Sequence, residues 1–251
     1  MDSYTGFAYL YDKFMEDVPY REWTDLLSSL FKAYGENIKS VIDLGCGTGT
    51  LTELLHDEGL DVIGVDISED MLAVASAKAF ESDKDILYIN QDMCELCLAK
   101  KADAVVCVCD SINYLITDED IGNTFERVYD SLNAGGLFIF DFNTIYKYET
   151  VIGDTTIAEN REDCSFIWEN YYSPEDHINE YDETFFEKAN EDSEDELFRR
   201  FSETHIQRGY ELEDMKGFAE KSGFRFVTAI DERTHKIPEA DAERIFVVLR
   251  K

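Results

Sequence analysis

The spacing of apolar positions changes several times along the chain, and each change marks off a part of it. From Tyr4 to Val18 the sequence is aromatic but without a clear period, with Tyr4, Phe7, Tyr9, Tyr11 and Phe14. Pro19 opens a helix that carries Trp23, Leu26, Leu27, Leu30 and Phe31 at helical spacing and stops at Gly35-Glu36-Asn37. Short apolar runs then alternate with amphipathic stretches. Strands are predicted at Val41–Leu44, Val62–Val65, Ile86–Ile89, Ala102–Val108 and Leu137–Asp141. Between them lie helices over about 50–58, after an N-cap at Ser68 with Met71, Leu72, Val74 and Ala75 inward, and over about 118–132. Apolar strands alternating with helices predict an α/β, doubly wound, mostly parallel sheet covered on both faces.

After Asn143 the pattern breaks. Polar and aromatic residues alternate from Thr155 to Ile206, as in Ser165-Phe166-Ile167-Trp168-Glu169-Asn170-Tyr171-Tyr172, with turn signals at Ser173-Pro174-Glu175-Asp176 and around Asn190 to Ser193. This period of two predicts a small antiparallel sheet with one solvated face. Helical spacing returns from Glu211 to Ser222, and two strands, Arg225–Asp231 and Arg244–Leu249, finish the chain. The expected division is residues 1–37 as an aromatic lid and helix, 38–145 with 208–251 as the core, and 146–207 as an inserted antiparallel lid on the substrate side.

Composition narrows the partners. With 251 residues and 44% hydrophobic content, the chain is long enough for a substantial core. No apolar run reaches membrane-spanning length, and no basic, apolar leader follows Met1, so a cytoplasmic protein without a membrane partner is expected. The net charge of −32 opposes phosphate backbones, and Lys100-Lys101 and Arg199-Arg200 are isolated basic pairs, so nucleic acid is disfavoured. Solubility is the simplest reading of the acidity. Six cysteines include Cys94-x-x-Cys97, but no histidine lies near in sequence and Cys107 sits in an apolar strand; no metal is expected. Oligomeric state is left open.

The chemistry is concentrated at strand ends. Val41-Ile42-Asp43-Leu44-Gly45-Cys46-Gly47-Thr48-Gly49 reads as strand, glycine turn and helix start, a junction that aims backbone N–H groups and the positive end of a helix at a ligand. Its spacing is G-x-G-x-G, with Thr50 where a dinucleotide fingerprint needs its last glycine. About twenty residues on, the second strand ends in Asp66, an acceptor for ribose hydroxyls. Asp92-Met93 and Cys109-Asp110-Ser111 end the third and fourth strands. In a doubly wound sheet these carboxyl ends line one crevice. The set predicts a pocket for a nucleoside-bearing cofactor.

With these motifs the chain resembles the class I methyltransferases that use S-adenosylmethionine, over Ile38 to about Asn143. The resemblance implies the Rossmann-like methyltransferase fold, a seven-stranded sheet here carrying the inserted lid. It implies that Asp43 to Gly49, including Gly45, Cys46 and Gly47, wraps the methionine and ribose portion. Asp66 would bind the ribose, Ile67 would lie beside the adenine, and Asp92-Met93 would hold the adenine edge and face. Cys109 and Asp110 would border the methyl group, with Met71 and Tyr4 completing the cofactor contacts. The outer parts, including Tyr9-Leu10-Tyr11-Asp12 and Glu203-Thr204-His205 with Arg208 and Tyr210, are similar to uncharacterised bacterial relatives of the glycine and amino-sugar N-methyltransferases. No Asn-Pro-Pro-Tyr-like sequence follows the fourth strand, which argues against base amines of nucleic acid as the target.

The expected activity is therefore methyl transfer to a small molecule, an amine before other acceptors. Alternatives are methylation of a protein or RNA component, which would call for a basic rim, and a cofactor-binding regulator without turnover. Two residues are candidate catalysts. His205 lies between the insert and the last helix, in a segment able to fold over the crevice, and Tyr11 matches an opening-segment tyrosine that lies near the methyl group in the related enzymes. Trp168, Tyr171, Phe185 and Phe201 are candidate walls of the acceptor pocket.

Overall fold

The computed structural model describes residues 8–16, 18–162, 164–189 and 197–251. Tyr4 and the acidic run at 191–196 lie outside them. A helix, α1 (Ala8–Phe14), occupies the aromatic opening segment, where the sequence offers no period to announce it. The helix α2 (Tyr20–Tyr34) follows. Strands β1 (Ser40–Leu44), β2 (Asp61–Asp66), β3 (Leu87–Asn90), β4 (Ala102–Cys107) and β5 (Leu132–Asn143) then alternate with helices α3 (Thr50–Asp57), α4 (Glu69–Glu81) and α5 (Asp118–Ser131). The insert supplies β6 (Thr156–Asn160), β7 (Cys164–Ser173), β8 (Ile178–Lys188) and β9 (Phe198–Arg208); α6 (Leu212–Lys221), β10 (Arg225–Asp231) and β11 (Arg244–Arg250) close the chain.

Seven strands form one sheet in the order β10-β11-β5-β4-β1-β2-β3, and four form a separate antiparallel sheet, β6-β7-β8-β9. The main sheet is parallel except for β11, which runs against both β5 and β10. This is the doubly wound, mostly parallel sheet with a small antiparallel insert that the sequence pattern predicts. Alternation along each strand sorts residues to two faces. On β5, Phe138, Phe140 and Phe142 pack with Phe125, Phe218 and Phe224 on one side, whereas Leu137 and Ile139 pack with Trp23, Leu27 and Leu55 on the other. Edge-to-face contacts such as Phe125–Phe140, with centroids 5.3 Å apart, fill the first cluster.

One departure from expectation lies at the start of β5. Asn133 and Gly135-Gly136 read as a helix stop and loop, yet the strand already begins at Leu132, which pairs with Ala102 across a register shift. Another is a single wide turn of π-helix at Lys147–Ile152, where the chain leaves the core for the insert.

The chain order places β4 and β2 on opposite sides of β1, so the crevice opens at the carboxyl ends of these strands. The glycine turn is built for that place. Gly45, Gly47 and Gly49 all have positive φ (75°, 53° and 76°). A Cβ on Gly49 would lie 2.4 Å from Tyr88 Oη, and one on Gly64 would lie 2.5 Å from the same ring. A single tyrosine on β3 therefore requires glycine both in the turn and on β2.

Candidate active site

At the carboxyl ends of β1, β2, β3 and β4 lies a cavity of about 850 Å³, within the range of small-molecule and cofactor sites. Asp43, Gly45, Cys46, Gly47, Asp66, Ile67, Met71, Asp92, Met93 and Cys109 all line it. The structure thus brings together every described cofactor candidate except Asp110.

Asp66 organises the turn. One carboxylate oxygen accepts from Gly47 N–H (2.8 Å) and the other from Ser68 N–H (2.8 Å). Each oxygen has a second lone pair, so both can still accept from a diol. Burial pushes its pKa up, opposed by these backbone donors. Asp43, at the cavity floor, is only 2% exposed and accepts from Thr52 Oγ1 at 2.6 Å. Asp92 caps the short turn Met93–Glu95 by accepting from Cys94 N–H at 2.8 Å. Ile67, by contrast, exposes 67% of its surface on the rim of the cavity. A carboxylate with open acceptor sites, an exposed aliphatic face and Gly47 with nothing within 4 Å of where a Cβ would stand together fit a nucleoside with a charged tail.

Asp110 faces elsewhere. Its oxygens accept from Arg244 Nη2 (2.6 Å) and Gln207 Nε2 (2.8 Å), and Arg244 also pairs with the fully buried Asp141. Tyr148 donates to Gln207 Oε1 (2.6 Å). Asp110 is therefore tied into a charged network that joins β9 to the ends of β4, β5 and β11, and it is not among the residues lining the cavity. Cys109 and Asp110 both adopt positive φ (63° and 52°), two strained residues in succession at the cavity edge. Burial pushes the Cys109 thiol up to about 12, with Asp110 adding to it, so the group stays protonated.

The opening segment closes one side. Asp12 on α1 accepts from Thr48 and from Lys78 Nζ (2.6 Å), while Lys78 also donates to Thr50 (2.8 Å). This pins α1 across the glycine turn and sets Tyr11 on the cavity wall, its Oη 3.9 Å from Cys109 Sγ. Tyr11 and Phe14 pack against Phe166, Phe185 and Phe201 of the inserted sheet.

Register explains the inserted sheet's inner face. Phe166, Phe185 and Phe201 stand side by side across β7, β8 and β9; the next same-face row is Trp168, Glu183 and Glu203, and the next Asn170, Tyr181 and His205. His205 is 2% exposed and does not line the cavity itself. Its Nδ1 lies 3.1 Å from Oη of Tyr114, which does. Of the candidate walls, Phe185, Phe201 and Trp168 share this inner face, and Tyr171 points outward with 52% of its surface exposed. Tyr114, Glu183 and Glu203, which stand around His205 here, are not among the residues that the sequence singles out as site candidates. The two glutamates become neighbours only through the pairing of β8 with β9. Among the described residues no group of three or more His, Cys, Asp or Glu could hold a metal ion, and no helix is long and apolar enough to cross a membrane.

Two buried acids give the fold a pH dependence. Burial pushes the Asp43 carboxyl up to about 7, with Asp66 adding repulsion and Thr52 opposing. Burial likewise raises Glu183 to about 7, helped by Glu203 and Asp110 and opposed by His205. A carboxyl with a raised folded pKa binds its proton more tightly when folded. Its contribution is present below the unfolded value near 4 and is lost as pH rises through about 7. The ceiling is about 3–4 kcal/mol per group. Calorimetry of the ligand-free protein is expected to give a higher Tm at pH 5 than at pH 7.5, and Asp43→Asn to shrink the difference; a flat or rising profile would contradict the assignment.

Comparison with known proteins agrees with this geometry. Residues 41–136 match the family model described as a methyltransferase domain. A Geobacillus sp. (strain WCH70) protein named "Putative methyltransferase" is 36% identical over 250 residues, covering 99% of this chain and 100% of that one. The crystal structure of a S-adenosylmethionine-dependent methyltransferase from Clostridium acetobutylicum ATCC 824 superposes with a TM-score of 0.87 at 30% identity, covering 98% of each chain. A Streptomyces venezuelae dTDP-3-amino-3,4,6-trideoxy-alpha-D-glucopyranose N,N-dimethyltransferase is 30% identical over 115 residues, 46% of this chain and 47% of its own. The chain belongs to the S-adenosylmethionine-dependent methyltransferases.

Proposed function

We propose that this enzyme methylates the nitrogen of a small amine bound between the cavity and the inserted sheet. The observation that carries the reading is the inner face of that sheet. Its aromatic row meets Tyr11 and its Tyr181–His205 row meets Tyr114, so the row between them, Trp168 with Glu183 and Glu203, lies between two of the tyrosines that line the cavity. Carboxylates framed by aromatic rings suit a cationic amine, through charge-assisted hydrogen bonds and cation–π contact. The Streptomyces venezuelae relative, named for N,N-dimethylation of an amino sugar, supports a nitrogen acceptor. The net charge of −32 favours approach of a cation over an RNA.

In this reading the Asp43–Gly49 turn and Asp66 hold the donor's ribose and amino-acid portion, while Ile67, Met71, Asp92 and Met93 enclose its adenine. Bound there, S-adenosylmethionine supplies a methyl group already activated on a sulfonium. The chain's own task is alignment and exclusion of water, a contribution on the order of 7–11 kcal/mol for a two-reactant step. Tyr11 and Cys109 border the transfer site, and His205 acts from behind it.

The test is release of S-adenosylhomocysteine from S-adenosylmethionine in the presence of glycine, sarcosine, free amino sugars, short-chain amines and matched hydroxyl compounds. Turnover is expected with amines, and Glu203→Gln should raise the acceptor KM about tenfold, the loss of one charge-assisted bond, with donor affinity unchanged. Turnover confined to hydroxyl compounds would overturn the reading.

A further inference from the structure

Behind the cavity wall a chain of titratable groups runs from the cavity into the inserted sheet. Tyr114 lines the cavity, and its Oη lies 3.1 Å from His205 Nδ1 and 3.2 Å from Tyr181 Oη. On the far side of the imidazole, Nε2 lies 3.5 Å from Glu203 Oε2 and 3.6 Å from Glu183 Oε2. Tyr181 stacks on His205 with centroids 5.2 Å apart and planes at 20°, and Tyr114 meets it edge-on at 71°. The ring is thus held in one orientation from β8, β9 and the turn after β4.

The chemistry of the neighbours orients the proton. Ionised carboxylates only accept, so a glutamate beside Nε2 favours the tautomer with hydrogen there. Nδ1 is then an acceptor, directed at the phenol of Tyr114, a residue that lines the cavity. We infer that Tyr114 and His205 form a proton relay for the acceptor, with Tyr114 as the catalytic residue that touches it and His205 as the positioning and proton-holding residue behind. This rests on the amine reading above.

The step balances without a further reagent. The proton of the acceptor ammonium passes to Tyr114 Oη as the phenol's own proton passes to His205 Nδ1. The electron pair of the broken N–H bond stays on the acceptor nitrogen as the lone pair that attacks. Tyr114 ends neutral, and His205 ends as imidazolium with the carboxyl groups of Glu203 and Glu183 beside its Nε2, where imidazolium and ionised glutamate stabilise each other. Return of that proton to solvent resets the relay.

The test begins without an acceptor. The full chain, labelled with ¹⁵N-histidine and saturated with S-adenosylhomocysteine, gives imidazole signals from four histidines, and those of His205 are the ones lost in His205→Gln. The relay predicts neutral His205 with hydrogen on Nε2 and an Nδ1 signal that moves downfield in Tyr114→Phe as its hydrogen bond is lost, the other three imidazoles staying in place. Hydrogen on Nδ1, or an Nδ1 signal indifferent to Tyr114→Phe, would overturn it. With the best amine of the panel, Tyr114→Phe is expected to lower kcat about 10²-fold while KM for S-adenosylmethionine and calorimetric affinity for S-adenosylhomocysteine stay at wild-type values; an unchanged kcat would also overturn the relay. A panel with no turnover at all contradicts the amine reading instead, and the tautomer still decides the relay.

Discussion

Asp66→Ala is expected to weaken S-adenosylmethionine binding by about 10²–10⁴-fold, the equivalent of two charge-assisted hydrogen bonds at roughly 1.5–3 kcal/mol each. The size of the effect follows from a double role. The carboxylate ties down Gly47 N–H and Ser68 N–H, and so holds the glycine turn against the start of α4. In the proposed reading its remaining lone pairs accept from the ribose hydroxyls. Asp66→Asn is expected to lose nearly as much, because an amide can present only one accepting oxygen while its NH₂ meets one of the two backbone donors. Titration calorimetry with S-adenosylmethionine and S-adenosylhomocysteine measures both, with circular dichroism confirming that the variants fold. Wild-type affinity in Asp66→Ala would remove this residue from the binding site.

The largest expected loss of stability is in Arg244→Met. Arg244 is paired at once with Asp110 and Asp141, the latter wholly buried, and its guanidinium lies over the Trp23 ring at 5.3 Å. Burial alone would disfavour the guanidinium charge, but the two carboxylates hold it well above its usual range. Removing the cation leaves two acids in a poorly solvated site, which costs about 3–5 kcal/mol. Urea unfolding should report that loss, and Tm should fall by roughly 10 °C. Adding Asp141→Asn is expected to restore part of the stability, since it removes the buried charge that the first substitution strands. A variant within about 1 kcal/mol of wild type would mean that the network contributes little. Because Asp110 also accepts from Gln207 on β9, the same substitution should loosen the inserted sheet and lower turnover more than donor affinity.

How far the sequence could be read depended on whether function lay along a strand or between strands. The glycine turn, Asp66, Asp92 and Cys109 follow strands whose order is written in the alternation of apolar runs and helices, and the fold rules carry their ends to one crevice. Family membership was legible for the same reason. Asp110 shows the limit. It stands at a strand end like the others, but its partner Arg244 lies 134 residues further on, and nothing local distinguishes an acid that faces a cavity from one that faces a guanidinium. The inserted sheet was legible as a sheet and not as a surface. His205 meets Tyr181, and Glu183 meets Glu203, only in one register of β8 with β9. A slip of one residue would send His205 to the solvent face. The turn signals around Asn190 to Ser193 mark a connection between those strands without setting that register. Helix α1 was missed because seven residues rich in tyrosine show no period; the clamp of Asp12 on Thr48 and Lys78 is a tertiary contact with no local signal.

The central claim is spatial: one cavity holds the methyl donor in its glycine-lined half, and the inserted sheet brings the acceptor to the other. A crystal structure of the full chain with S-adenosylhomocysteine and the best amine of the panel tests it most directly. The account predicts the ribose hydroxyls on Asp66, the adenine against Ile67 and Met93, and the amine between Tyr114 and the Glu183–Glu203 row, on the side where the sulfur lies. A sulfur directed away from Tyr11 and Tyr114, or an amine bound outside the face that carries Glu183 and Glu203, would contradict it.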